Sequence, residues 1–128
     1  MDNEASAPAL IAIDWGSSNL RVALLDSEGA LLDRRESPAG VFTLHDGGFA
    51  AALLPLCSDW LAQHRLPMLA CGMIGSRQGI VEVPYLPCPA GANDLAAGLG
   101  RIELRTQTSM PRTLFIVPGL TSGSSEVG

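Results

Sequence analysis

Three short candidate strands near the start of the chain, the first two mainly aliphatic, constrain its fold more than any other feature. Residues 9–13, 20–25 and 30–35 are each long enough for one strand, and the turn-forming residues 14–19 and 26–29 join them. Parallel neighbours need a crossover of about a dozen residues or more, so connections this short allow only antiparallel pairing. The sequence therefore predicts a three-stranded antiparallel meander.

The rest of the chain has the pattern of an α/β domain. Apolar residues recur at helical spacing over 48–64, and Pro55 inside that run is expected to kink or delay the helix. Residues 67–71 follow as a fourth strand, which can lie parallel to the first because a helix precedes it. A short helix over 92–99 and a last buried strand over 114–117 complete the prediction.

The length of 128 residues provides room for one domain of ordinary size. We expect a flexible leader over 1–8, a single lobe over 9–120 and a Ser/Gly-rich tail over 121–128. Because the lobe would end directly behind a core strand, we expect a truncated domain.

Lysine is absent from the chain, so all eight cationic residues are arginine, and 13 acidic residues give a net charge of −5. A negative chain is a poor match for nucleic acid or an anionic membrane. No apolar run approaches the roughly 20 residues of a membrane helix. Because the P-loop and the protein-kinase strand both need a lysine, any phosphate chemistry must use backbone N–H groups, hydroxyls, arginine or a metal ion.

The cysteines are odd in number and widely spaced, at Cys57, Cys71 and Cys88. This pattern predicts buried thiols in a reducing cytoplasm rather than a disulfide framework or a zinc site. His45 and His64 stand alone and are expected to be surface residues.

The turn after the first strand is the first candidate for chemistry. Asp14 would hold Mg²⁺, mainly through water, and would be costly to bury without a charged partner. Gly16 lets the backbone approach a ligand closely, and the N–H groups and hydroxyls of Ser17 and Ser18 could hold phosphate oxygens. The alternative is a plain hairpin in which Asp14 caps its own turn.

A Gly-punctuated stretch after the fourth strand is the second candidate. Arg77 can bind a carboxylate through a bidentate fork, Ser76 and Gln78 can bind hydroxyls, and Tyr85 lies behind them. An acidic sugar would suit this set. The alternative is a glycine-hinged surface loop with a solvated arginine.

Residues 87–91, together with Asn93 and Asp94, are a third candidate. They would form either a wall of a substrate site or a rigid connector whose Asn93 caps a helix. No Gly-x-Ser-x-Gly elbow occurs in the chain, which argues against a hydrolase of that kind.

Five segments between residues 11 and 120 carry a common resemblance. They read Ile11-Ala-Ile-Asp-Trp-Gly-Ser-Ser-Asn-Leu-Arg21, Ser37-Pro-Ala-Gly-Val41, Cys71-Gly-Met-Ile-Gly-Ser-Arg-Gln-Gly79, Pro84-Tyr-Leu-Pro-Cys-Pro-Ala-Gly91 and Ile116-Val-Pro-Gly-Leu120. In this order they resemble the 2-dehydro-3-deoxygalactonokinase family. The first segment alone is similar to many actin-like ATPases and sugar kinases, whereas the third and fourth are much more specific.

The resemblance implies an α/β lobe of the actin-like ATPase, ribonuclease-H-like type, with an antiparallel meander followed by a helix and parallel strands. It also implies a cytoplasmic enzyme of galactonate degradation with the cofactors ATP and Mg²⁺. Such an enzyme transfers the γ-phosphoryl group of ATP to the 6-hydroxyl of 2-dehydro-3-deoxy-D-galactonate.

The resemblance also implies roles for individual residues. Asp14 would serve the metal, and the ATP phosphates would contact Gly16, Ser17, Ser18, Asn19 and Arg21. The sugar acid would face Ser76, Arg77, Gln78 and Tyr85. No residue is assigned as the catalytic base, because Glu126 is near the expected place without matching the motif.

The family is longer than this chain and has two lobes that close on the nucleotide. We therefore expect a truncated lobe with little turnover alone. It could self-associate through the surface that the missing lobe would otherwise cover. Two alternatives remain open from the sequence: a non-catalytic lobe that binds a sugar acid or a partner chain, and an actin-like ATPase of another specificity.

Overall fold

The computed structural model describes residues 7–44, 48–75, 86–87, 91–104, 112–118 and 120–121. The strands are β1 (Pro8–Trp15), β2 (Leu20–Asp26), β3 (Leu31–Ser37), β4 (Met68–Gly72), β5 (Leu86–Pro87), β6 (Gly100–Leu104), β7 (Arg112–Ile116) and β8 (Leu120–Thr121). The helices are α1 (Phe49–Gln63) and α2 (Ala92–Ala97), and short 3₁₀ turns occupy Val41–Thr43 and Met73–Gly75.

Six of the strands form one mixed sheet in the order β3-β2-β1-β4-β7-β6. β1 pairs antiparallel with β2, and β2 pairs antiparallel with β3. β4 lies parallel to β1 on its other side, and β7 lies parallel to β4. The predicted meander and the predicted parallel fourth strand are therefore confirmed, and the whole is a mixed α/β lobe.

The core lies between one face of this sheet and α1. Alternate residues of β1, namely Ile11, Ile13 and Trp15, are buried there because successive strand residues point to opposite faces. From α1, Leu53 and Cys57 are completely buried against them. Burying an aliphatic side chain of this size contributes about 1.5–3 kcal/mol, so this aliphatic layer is the main stabilising feature of the lobe.

Pro55 lies inside α1, and the expected delay of the helix is wrong. The helix begins at Phe49 and runs through Pro55 to Gln63. Pro55 has no N–H to donate to the carbonyl of Ala51 one turn earlier. Both residues are exposed, so water can satisfy that carbonyl and the helix continues.

The main differences from the prediction are two boundaries and one strand that was not predicted. β1 continues to Trp15, so Asp14 is a strand residue rather than the first residue of a turn. β6, which pairs antiparallel with β7, was not predicted, although its alternation of apolar residues with Arg101 and Glu103 is the pattern of a strand with one exposed face. The helix expected over 92–99 ends at Ala97. The sequence of residues 79–83 also predicts an extended piece, and these residues lie outside the described ones.

Arg35 of β3 joins this strand to α1 through several contacts. Its guanidinium donates to both carboxylate oxygens of Asp59, at 2.6 and 2.9 Å, and to the carbonyl of Leu56 at 2.7 Å. The same group lies 4.1 Å from the centre of the Trp60 ring. This arrangement restrains β3, which has no further strand on its outer side within the described part of the sheet.

We expect the free energy of unfolding to fall as the pH is lowered from 3.8 to about 2. The hydrogen bond from Arg35 lowers the pKa of Asp59 from 3.8 to about 2. Because the pKa is lower in the folded state, this stabilisation is complete above the unfolded pKa and is lost as the pH falls through the folded one. Urea unfolding between pH 5 and pH 2 measures the effect.

Asp59→Asn should flatten this part of the pH profile, whereas Glu28→Gln, in the exposed turn between β2 and β3, should leave its slope unchanged. An Asp59→Asn profile parallel to that of the unsubstituted chain would contradict the prediction.

Neither α1 nor α2 is long and apolar enough to cross a membrane, and the described residues contain no other α-helix.

Candidate functional site

The turn between β1 and β2 is a tight one closed by its own backbone. The N–H of Gly16 donates to the carbonyl of Asn19 at 2.9 Å, so residues 16–19 form the whole connection. The predicted hairpin is confirmed, but Asp14 does not cap it. Asp14 pairs across the strands with Arg21, and the backbone alone closes the turn.

Two successive amides of this turn have no hydrogen-bond partner among the described residues. Within the described part of the chain, the N–H groups of Ser17 and Ser18 donate to no other protein group, nor do their hydroxyls make a hydrogen bond. Ser18 is exposed and Ser17 is half-buried. Adjacent free N–H groups in a turn carry partial positive charge and can bind an anion without any lysine.

Asp14 lies beside this turn on the face of the sheet opposite the core. Its Oδ2 lies 3.7 Å from Nη1 of Arg21, and its side chain is 56% exposed. Arg21 also donates from Nε to Oε2 of Glu36 at 3.3 Å. The charged partner expected for Asp14 is present, since Arg21 lies beside it. Asp14 is open to solvent, and among the described residues its nearest cation, Arg21, is shared with a second carboxylate, Glu36.

Gly72 at the end of β4 permits the close approach of β4 to this site. It has a φ of 103° and pairs with Trp15 of β1. A Cβ here would lie 2.6 Å from the carbonyl oxygen of Trp15 and 3.3 Å from Oδ1 of Asp14. Any side chain at this position would be strained and would crowd the Asp14 carboxylate.

The segment of residues 39–42 packs against the other side of the 16–19 turn. The N–H of Val41 donates to the carbonyl of Gly16 at 2.9 Å, and the N–H of Phe42 donates to the carbonyl of Ser17 at 3.0 Å. This segment overlaps one of the five segments that carry the family resemblance, but the sequence alone assigned it no role. The sequence feature that marks it is the Pro-Ala-Gly motif, which is equally typical of an ordinary loop.

The face of the sheet opposite α1 carries a groove of about 680 Å³ that reaches the candidate site. Small and aliphatic side chains line it, among them Ala12, Ala23 and Leu69, and Asp14 and Arg21 lie in its wall. We call this surface the open face.

The second candidate set, Ser76, Arg77, Gln78 and Tyr85, lies outside the described residues, as does Glu126. The described chain runs up to them through β4 and the 3₁₀ turn Met73–Gly75. Because Gly72 pairs with Trp15, that turn begins at the same end of the sheet as Asp14. Of the third set, Asn93 is the second residue of α2 rather than the residue before it, so the expected cap is wrong.

The two described cysteines are both free but differ in exposure. Cys57 is buried in the core, and burial raises its pKa to about 11. Cys71 is exposed, which corrects the expectation that it is buried. Its pKa is raised by partial burial and by the Asp14 carboxylate, opposite which it lies on β4. Cys88 lies outside the described residues.

We expect a thiol reagent to label Cys71 at pH 8.5 and to leave Cys57 unlabelled until the chain unfolds. The reason is that the reagent needs an accessible thiolate, which a buried thiol of pKa about 11 does not provide. Peptide mass mapping after timed labelling measures both rates, with the chain in urea as the control. Equal rates for the two thiols in the folded chain would contradict the assignment.

Comparison with known proteins decides the family. The profile of the family described as 2-keto-3-deoxy-galactonokinase matches residues 14–127. The chain belongs to this family. The match begins at Asp14 and includes the 16–19 turn, the 39–42 segment and the second candidate set, so every element of the candidate site is inside it.

Individual relatives carry the same description. The 2-dehydro-3-deoxygalactonokinase of Escherichia coli (strain K12) is 37% identical over 110 residues, which are 86% of this chain and 34% of that protein. A protein of Rhizobium meliloti (strain 1021), described as a probable 2-dehydro-3-deoxygalactonokinase, is 34% identical over 109 residues, 85% of this chain and 34% of its own length.

The fold also has a counterpart among solved structures. The crystal structure of a Sinorhizobium meliloti protein assigned as a 2-dehydro-3-deoxygalactonokinase superposes with a TM-score of 0.73 at 32% identity. The superposition covers 91% of this chain and 37% of that one. This chain therefore spans about a third of the length of the family members that it matches.

Proposed function

We propose that this chain forms the first lobe of an enzyme that phosphorylates the 6-hydroxyl of 2-dehydro-3-deoxy-D-galactonate with ATP. The observation that carries the proposal is the 16–19 turn, where two free amides lie next to the exposed Asp14 carboxylate in a chain of this family. Such a lobe would supply part of the nucleotide site, and the rest of the enzyme would supply the remainder.

The fold supports an actin-like ATPase, ribonuclease-H-like lobe. An antiparallel meander leads through α1 to β4, which lies parallel to β1, as that architecture requires. The lobe expected over residues 9–120 extends by one residue at each end, because Pro8 belongs to β1 and Thr121 to β8, and we assign residues 1–7 as a leader and 122–128 as a tail. A second lobe would lie outside this sequence.

The residues of the turn fit ATP and Mg²⁺. The free N–H groups of Ser17 and Ser18 would bind phosphate oxygens, with Gly16 and Asn19 closing the turn between them. Asp14 would contact the ion through its bound water, because Mg²⁺ retains much of its hydration and takes few protein ligands. When bound, the ion neutralises charge on the transferred phosphoryl group.

Arg21 has two carboxylate partners beside the candidate metal site. It contacts Asp14 at 3.7 Å and Glu36 at 3.3 Å, so its guanidinium can remain paired with Glu36 when Asp14 turns to a cation. In this way Asp14 can change partner without leaving an arginine unpaired.

The sugar acid would bind to the stretch after β4. Arg77 would pair with the carboxylate, Ser76 and Gln78 would bind hydroxyls, and Tyr85 would form part of the wall. The path of β4 supports this proposal, since Gly72 leads toward these residues from beside Asp14. The substrate would then approach the phosphate turn from the neighbouring strand.

An intracellular setting in galactonate degradation, in the cytoplasm, agrees with the free thiols of Cys57 and Cys71. The open face would be covered in the whole enzyme, and in this chain alone it would favour self-association, because exposed apolar surface tends to be buried.

The test is a fusion in which the second two-thirds of the E. coli relative follow residue 121 of this chain. We expect ADP release that requires Mg²⁺, ATP and the sugar acid, measured by a coupled assay. Arg77→Lys should raise the KM for the sugar acid, whereas Arg34→Lys, at an exposed position of β3, should not.

ATP hydrolysis that does not depend on the sugar acid would favour an actin-like ATPase of another specificity. Sugar-acid binding without turnover would favour a binding lobe.

A further inference from the structure

Gly40 lies in unusually close contact with the 16–19 turn. A Cβ at this position would lie 2.3 Å from the carbonyl carbon of Ser18, 2.4 Å from its nitrogen and 2.4 Å from the carbonyl oxygen of Ser17. All three are backbone atoms, so no flexible side chain can move aside. The backbone of Gly40, at φ −68° and ψ 169°, is one that any residue can adopt. Glycine is therefore required here for space alone.

The residues on either side of Gly40 determine which way the turn amides point. Val41 donates to the carbonyl of Gly16, and Phe42 donates to the carbonyl of Ser17. In a planar trans peptide the C=O and N–H groups point in opposite directions. Fixing these two carbonyls on the side of the 39–42 segment therefore directs the N–H groups of Ser17 and Ser18 away from it.

A third contact attaches this segment to the core. The indole N–H of Trp15 donates to the carbonyl of Ala39 at 2.9 Å. Trp15 is fully buried and meets the ring of Phe49 edge to face, with ring centres 5.3 Å apart. The segment is thus fastened to the same strand end that carries Asp14.

We propose that the 39–42 segment is the positioning element of the anion site, and that Gly40 sets the distance at which it fixes the two free amides. The segment acts through the turn and touches no phosphate itself. This proposal rests on the proposed function, since it takes ATP phosphate as the anion that the amides bind.

Gly40→Ala must push the turn outward by about 1 Å, because ordinary contact of a Cβ begins near 3.4 Å. A misplacement of about 1 Å in a binding group can reduce catalytic efficiency by about 10²-fold. We expect kcat/KM for ATP in the fusion protein to fall by that order, while the KM for the sugar acid stays within about twofold.

Gly29→Ala is the matched control. It is the same substitution at a turn glycine, with a φ of 84° but no heavy atom within 4 Å of the added Cβ. It therefore adds backbone strain without moving the 16–19 turn, and kcat/KM for ATP should remain within about twofold. Trp15→Phe is the second variant should Gly40→Ala fail to fold. It removes the hydrogen bond to Ala39 and keeps a buried ring. It should also lower kcat/KM for ATP while leaving the KM for the sugar acid within about twofold.

A second measurement separates this proposal from the proposed function. In amide NMR spectra of the 128-residue chain, inorganic tripolyphosphate with Mg²⁺ should shift the Ser17 and Ser18 signals. The same titration should leave them unshifted in Gly40→Ala, with Gly29→Ala behaving as the unsubstituted chain. Tripolyphosphate shifts that Gly40→Ala abolishes, beside a folded fusion that releases no ADP, would support the positioning role and contradict the proposed function. If a folded Gly40→Ala kept the same kcat/KM for ATP, or still showed the tripolyphosphate shifts at Ser17 and Ser18, the positioning role would be overturned.

Discussion

Asp14→Asn is expected to lower kcat of the fusion protein by about 10²-fold or more. The substitution keeps the size of the side chain and removes the negative charge that would attract the hydrated Mg²⁺. Removing one preorganised electrostatic contact commonly costs 10²- to 10³-fold in rate, or about 2.7–4 kcal/mol. Because Asp14 is 56% exposed, the fold should tolerate the change. Initial rates of ADP release over a range of Mg²⁺ concentrations measure both kcat and the apparent metal affinity.

Asp33→Asn is the control for this experiment. Asp33 is also a strand carboxylate paired with an arginine, at 3.3 Å from Arg35, and its side chain is 49% exposed. It lies on β3, away from the 16–19 turn, so its loss should leave kcat within about twofold. If Asp14→Asn retained full kcat and the same Mg²⁺ dependence, the metal role of Asp14 would be refuted while the family assignment would stand.

Leu53→Ala should lower the free energy of unfolding by about 2–5 kcal/mol, the usual range for removing a large aliphatic side chain from a core. Leu53 is completely buried on α1, among residues of the sheet and helix that cannot move freely into the space. For a domain of this size such a loss is a large part of the total stability. Urea unfolding followed by circular dichroism measures it.

Leu31→Ala is the matched control, because it is the same substitution on a side chain that is 55% exposed. Its expected effect is within about 0.5 kcal/mol. Comparable losses from the two substitutions would mean that α1 does not close the core as described.

The order of the elements could be read from the sequence where local signals agreed. Short turns between the first three predicted strands left only antiparallel pairing, and the helix before β4 made parallel pairing with β1 possible. β6 also has a local signal, because Arg101 and Glu103 alternate with apolar residues as in a strand with one exposed face, but its pairing with β7 follows only from the fold.

The effect of Pro55 also depended on tertiary context. Its missing N–H predicts an interrupted helix, and whether the unpaired carbonyl can be tolerated depends on its access to water. The carbonyl of Ala51 lies on the exposed side of α1, and that orientation is set by which face of the helix packs on the sheet.

For the candidate site, composition identified the turn but not its surroundings. A carboxylate followed by Gly-Ser-Ser predicts an anion-binding turn beside a metal ligand, and the absence of lysine excluded other phosphate sites. The exposure of Asp14 and its contact with Arg21 were not predictable, because they depend on the register of β1 against β2.

The sequence by itself determined the meander, the helix and the residues of the 16–19 turn, because these depend on interactions between near neighbours in the chain. Only the tertiary structure decided how that turn is positioned. Gly40 lies more than 20 residues from Ser17, and its lack of a side chain matters only because the fold brings the two backbones into contact. Close packing between distant segments leaves no local pattern, so a steric requirement of this kind becomes visible only when both segments are in place.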